Sequence, residues 1–81
     1  MPFVYILECN DSTLYTGYAL DIEKRLEQHN QGVGSKYTRG RLPVKCVYWE
    51  ERETVSAALK REIEIKKMTR KQKLDLISGG D

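Results

Sequence analysis

The sequence predicts a single small α+β domain of order ββαβαα, with a three-stranded, mostly antiparallel sheet flanked by helices. Three observations lead there. Two short runs rich in β-branched and aromatic residues stand near the N-terminus, separated by the turn-forming Asn10-Asp11-Ser12. Capping residues precede three later helical stretches. The length, 81 residues, leaves room for one hydrophobic core, so the domain is expected to span residues 1–81 with its core between about 3 and 76.

Each element has a local cause. Phe3 to Glu8 is a strand, and Thr13 to Tyr18 returns beside it as the second arm of a hairpin. Asp21 is a good N-cap, since its carboxylate can accept from the free N–H groups of the first turn, and a helix follows from Ile22 to about Gln31. Gly32 closes that helix in the left-handed conformation that side chains resist. Residues 33–42 contain two glycines among basic and aromatic side chains and are expected to be a loop. Pro43 then opens a strand from Val44 to Glu50, expected to join an edge of the hairpin. Thr54 or Ser56 caps a helix running to about Met68, and Thr69 with Gln72 has the spacing of a capping box that starts a last helix, Arg70 to Ile77, ended by Gly79-Gly80.

Composition excludes several classes. No apolar run approaches the roughly 20 residues needed to cross a bilayer, so no membrane role is expected. The start MPFVYILEC has no basic segment ahead of its apolar run, which argues against a signal peptide and for a cytoplasmic protein. Cys9 and Cys46 do not have the spacing of a CxxC pair or a zinc knuckle and are expected to be free thiols. Net charge is only +2, but the charges are segregated. Residues 34–45 carry Lys36, Arg39, Arg41 and Lys45 without an acid, and residues 60–73 are strongly basic apart from Glu62 and Glu64. Such segregation focuses a positive potential on one side of a molecule.

Five side chains carry chemistry. In the helix starting at Val55, a rotation of about 100° per residue puts Val55, Ala58, Leu59, Ile63 and Ile65 on one stripe, with Glu62 close to its middle. A buried carboxylate needs a partner or a metal, because stripping its water costs several kcal/mol; Lys66, four residues on, could pair with it but adds only a few tenths of a kcal/mol. Arg25 and His29 are four apart on the first helix and flank its buried face. Tyr5 and Tyr15 fall on one face of the sheet if the hairpin loop has an odd number of residues, and on opposite faces if it is even.

Two tyrosines, an arginine, a histidine and a glutamate suit phosphodiester hydrolysis. Arginine donates in a rigid fork to a phosphate and opposes the charge that builds in the transition state. One glutamate with waters is a usual way to hold a single Mg²⁺. A histidine or phenol can take a proton from the attacking water, so His29 and Tyr15 are both candidates.

These residues resemble the GIY-YIG nuclease family. Phe3-Val4-Tyr5 matches the first signature triplet and Tyr15-Thr16-Gly17 the second, Arg25 and His29 stand at the family's helix positions, and Glu62 ends the AxxxE-like stretch Ala58-Leu59-Lys60-Arg61-Glu62. The similarity runs from residue 3 to about residue 76, and SKYTRGRLPV resembles the small stand-alone bacterial members, which are also similar to the nuclease domain of structure-specific enzymes. Phe3 replaces the signature glycine and Thr16 a branched apolar residue, both at backbone or packing positions.

The resemblance implies a Mg²⁺- or Mn²⁺-dependent DNA endonuclease domain with one ion, acting on branched or nicked duplex in repair or recombination. Tyr5 would orient groups by hydrogen bonding, Tyr15 would sit beside the water and the scissile phosphate, Arg25 would bind that phosphate, Glu62 the metal, and His29 would assist proton transfer. Lys36, Arg39 and Arg41 would contact DNA phosphates, with Tyr37 as a stacking surface. Family enzymes usually carry a further domain that grips the substrate. The alternative is therefore a nucleic-acid-binding module on the same scaffold with little or no catalysis, and a protein partner is expected to supply specificity.

Overall fold

The computed structural model describes residues 1–79. Strands β1 (Phe3–Glu8), β2 (Leu14–Ala19) and β3 (Lys45–Glu51) form an antiparallel sheet in the order β2-β1-β3. Helices α1 (Ile22–Asn30) and α2 (Lys36–Arg39) precede β3, and α3 (Val55–Lys66) and α4 (Arg70–Ile77) follow it. The hairpin register pairs Tyr5 with Gly17 and Leu7 with Tyr15, so the two tyrosines are diagonal neighbours on one face.

Because β1 is central, its alternate side chains feed two cores. Tyr5 and Leu7 pack with Cys9, Ala19 and Val44, under Ile22 and Leu26 of α1. Val4 and Ile6 pack on the other face with Ala58 and Ile65 of α3, and with Leu76 and Ile77 of α4. Cys9 and Cys46 are free. Beside Glu50, Tyr48 and Arg61 converge: burial would raise the carboxyl's pKa, but hydrogen bonds from Arg61 and Tyr48 outweigh it and hold the group below the usual range.

The caps form as expected. The Asp21 side chain accepts from Lys24 N–H and that of Thr54 from Ala57 N–H, while Thr69 and Gln72 make the reciprocal capping box. Gly32 has φ +83°, the left-handed value expected after α1, which ends at Asn30 with Gln31 as its cap.

Three expectations need correcting. The supposed loop 33–42 contains the single-turn helix α2, nucleated by Ser35, whose hydroxyl accepts from Thr38 N–H at 3.1 Å. The third strand starts at Lys45 and not Val44, because the Asn30 side chain takes both backbone groups of Val44, accepting from its N–H at 2.8 Å and donating to its carbonyl at 3.0 Å.

The third correction concerns α3. Its stripe is rotated: Ala58 and Ile65 are fully buried, whereas Val55, Leu59 and Ile63 are 43%, 38% and 53% exposed. The contact line thus runs roughly 70° round the helix from Val55. The helix rests where alanine lets the backbone approach the sheet, and Glu62 lies on the flank of the buried face, not in its middle.

Candidate active site

A chain of side-chain hydrogen bonds joins β1, α1 and α2. The Tyr5 hydroxyl lies 3.1 Å from His29 Nε2, His29 Nδ1 lies 2.8 Å from Thr38 Oγ1, and Thr38 Oγ1 lies 3.0 Å from Ser35 Oγ. His29 is 1% exposed and Thr38 fully buried. The Tyr5 O–H has no other acceptor among the described residues. The assignment that uses every donor has Tyr5 donating to Nε2, Nδ1–H donating to Thr38, and Thr38 donating on to Ser35.

Two glycines make room for this network. A methyl group at Gly17 would stand 2.7 Å from the Tyr5 hydroxyl oxygen and 3.3 Å from the Tyr15 ring. One at Gly34 would run into the His29 ring and come within 2.8 Å of its Cα. The phenol of Tyr5 therefore crosses over Gly17 towards the open edge of β2, the outer strand.

Electrostatics tie two more residues to this centre. Burial raises the Tyr5 phenol well above its ordinary value, reinforced by Tyr15, opposed by the Arg25 guanidinium and reinforced by Glu62. Burial lowers the His29 imidazole, and the positive charge of Arg25 lowers it further. Arg25 is half-buried, and among the described residues its side chain makes no hydrogen bond or ion pair. A part-desolvated guanidinium without a carboxylate partner is free for an anion.

Tyr15 packs edge-on to His29 with centroids 5.3 Å apart and stacks on Tyr37 at 5.8 Å. Its hydroxyl has no partner among the described residues. Arg41 lies 4.1 Å over the Tyr37 ring, donates to the Tyr37 carbonyl at 2.8 Å and pairs with Asp11 at 3.1 Å. Asn10 N–H donates to the Arg41 carbonyl, so the hairpin tip and the segment after α2 are fastened together. Of the four residues expected to hold nucleic acid, Lys36, Tyr37 and Arg39 are exposed, while Arg41 is committed to this fastening. The stem of Arg39 passes Gly32, at the C-terminal end of α1.

The Glu62 side chain is 14% exposed and pairs with Lys66 at 3.2 Å. No cluster of three or more His, Cys, Asp or Glu suited to a metal exists among the described residues. That donor set does not fit a closed zinc site. It does fit Mg²⁺, which keeps several waters and takes one or two carboxylates beside a substrate phosphate; Lys66 would have to yield.

Tyr5, Tyr15, His29 and Tyr37 are thus in contact, and the charges of Arg25 and Glu62 both act on the Tyr5 phenol. Thr38, Ser35 and Gly34 were not anticipated. Ser35 three residues before Thr38 has helix-cap spacing, a signal obscured by the flanking glycines.

The chain is similar to known proteins along nearly its whole length. Residues 1–75 match the family model described as the GIY-YIG catalytic domain. The chain is 58% identical to a UPF0213 protein of Staphylococcus saprophyticus, over 96% of this chain and 95% of that one. It is 55% identical to a UPF0213 protein of Haloquadratum walsbyi, over 96% and 88% respectively. Among solved structures it is similar to the solution structure of a UPF0213 protein from Bacillus halodurans, with TM-score 0.61 and 42% identity, covering 96% of this chain and 84% of that one. A second solution structure, of a protein from E. faecalis, gives TM-score 0.63 and 43% identity over 95% and 82%.

Proposed function

From the premise that the chain belongs to the GIY-YIG family, we propose that it is a DNA endonuclease domain hydrolysing phosphodiester bonds with one Mg²⁺ or Mn²⁺. The observation that carries this reading is the unpartnered, half-buried Arg25 beside the Tyr5–His29–Thr38 network, with Tyr15 packed on His29 and the charge of Glu62 acting on the Tyr5 phenol. Arg25 binds the scissile phosphate and opposes its developing charge. Tyr15, with a free hydroxyl, orients the attacking water. His29 spends both ring nitrogens inside the protein and positions Tyr5, leaving Tyr15 as the hydroxyl next to the reaction. Glu62 holds the ion, which supplies positive charge against the phosphate. Branched or nicked duplex, met in repair or recombination, is the proposed substrate, and a protein partner adds specificity.

The test is cleavage of supercoiled, branched and single-stranded DNA with Mg²⁺ or Mn²⁺ by wild type, Arg25→Ala and Glu62→Ala. Loss of about 10²–10³ in rate is expected for each variant, the usual effect of removing one group that stabilises transition-state charge. Absent cutting by wild type, or equal residual cutting by all three, overturns the assignment.

A second reading has one observation in its favour. Lys66 already neutralises Glu62 at 3.2 Å, as in a binding module without catalysis. DNA binding that weakens steeply with salt, without metal-dependent cutting, is the result that selects it.

A further inference from the structure

We infer that Arg70 and Lys73 of α4 form, with Tyr37, a phosphate-binding subsite for the DNA backbone, at the opposite end of β2 from Arg25. The inference rests on the nucleic-acid reading above but not on catalysis.

Two cavities lie at the two ends of β2. One, of about 460 Å³, is lined by Tyr18, Asp21, Lys24, Arg25 and Gln28, and by Val55 of α3; the Asp21 carboxylate is taken up in capping α1. The other, of about 220 Å³, is lined by Thr13, Leu14, Tyr37, Arg70 and Lys73. Between them stand Tyr15 and Gly17, over which the Tyr5 phenol passes. The six residues of β2 span roughly 20 Å at about 3.3 Å each, the length of several nucleotides. A backbone lying along this edge would meet Arg25 and Lys24 at one end and α4 at the other, with the reacting phosphate near Tyr15.

The second cavity has the electrostatics a phosphate needs. No acid lines it, and neither Arg70 nor Lys73 is in an ion pair among the described residues. Both lie at the N-terminal half of α4, where positive side chains add to the positive end of the helix dipole, and the first turn has no acid to offset them. Arg70 and Lys73, three apart, share one side of the helix. This surface adds to the exposed Lys36 and Arg39 of α2, whereas Arg41 is held by Asp11. Tyr37 carries Tyr15 and the Arg41 guanidinium against its ring, so it serves as a wall of the subsite and not as a free stacking platform.

The test measures binding without cutting, in EDTA, by fluorescence anisotropy of a labelled duplex and a single strand across a salt series. The proteins are wild type, the double variant Arg70→Ala/Lys73→Ala, and Lys60→Ala/Lys67→Ala as a control with the same charge change. Circular dichroism establishes that each is folded. Losing two phosphate contacts should flatten the slope of log K against log salt by about 1.8 on duplex and about 1.4 on the single strand, with little change in the control. Equal slopes for wild type and the α4 variant, equal losses in α4 variant and control, or no binding by wild type at low salt would each overturn the subsite. The expected slopes in a protein that does not cut DNA would leave the subsite standing while the nuclease reading fails. Normal cutting with unchanged slopes would do the reverse.

Discussion

Gly34→Ala is expected to destabilise the protein more than a methyl group added at Gly17 or Gly40. The new carbon would enter the His29 ring and approach the backbone Cα of that residue to 2.8 Å, so no side-chain rotation relieves it. The helix end bearing His29 or the turn leading to α2 must move, and overpacking of this kind typically costs about 1–3 kcal/mol. At about 4–8 °C per kcal/mol for a domain of this size, the melting temperature should fall by several degrees or more. Gly40→Ala is the control, since nothing lies within 4 Å of a methyl group there. Equal melting temperatures for the two variants would mean that His29 is not packed as described.

The second large effect concerns His29 itself. His29→Leu removes the acceptor of the buried Tyr5 O–H, and leaving such a group unsatisfied costs about 1–3 kcal/mol. It should also change how stability depends on pH. The folded imidazole has its pKa lowered from 6.5 by burial and by Arg25, so below about pH 6.5 the unfolded chain takes up a proton that the folded chain refuses. That contribution to stability is complete above pH 6.5 and is lost as the pH falls from there through the lower folded value. Urea midpoints measured between about pH 5 and 8 should decline on the acid side for wild type and stay flatter for His29→Leu. Parallel profiles would show that the imidazole is not held neutral. Thr38→Val separates the two halves of the network, since it removes the Nδ1 partner but leaves Tyr5 its bond.

Most local signals are legible in this chain, the Ser35 cap between two glycines excepted, whereas those that depend on how helices lie against the sheet are not. Asp21, Gly32 and the Thr69–Gln72 pair act within one turn of themselves, so their consequences are visible in the sequence. The alternation of Tyr5 and Leu7 likewise fixes which side chains share a face, once the odd hairpin loop sets the register. The face of α3 was a different matter. Helical spacing favoured the larger Val55, Leu59 and Ile63, but the sheet accepted Ala58 because a small residue permits close approach, and that choice belongs to the partner surface.

The candidate site divides in the same way. Tyr5, Tyr15, Arg25 and His29 are candidates by type and spacing, whereas Glu62 is a candidate by a central place in an apolar stripe that the structure moves to its flank. Thr38 is an unremarkable polar residue in sequence, and its burial against His29 comes from the turn that Ser35 starts. Arg70 and Lys73 stood out only as charge, until the packing of α4 placed them beside Tyr37.

The middle strand of the sheet imposes an order of assembly. β1 meets β2 through a short loop, but its other edge waits for a strand whose last residue, Glu51, pairs with Phe3 near the very start of the chain. Closing that long loop carries an entropic cost before the pairing returns anything. During synthesis, the most apolar segment of the protein therefore leaves the ribosome well ahead of everything that will cover it. An unprotected strand edge is an invitation to pair with another chain. Newly made protein is accordingly most prone to aggregate at its N-terminal hairpin, in the interval before the tryptophan-bearing strand arrives.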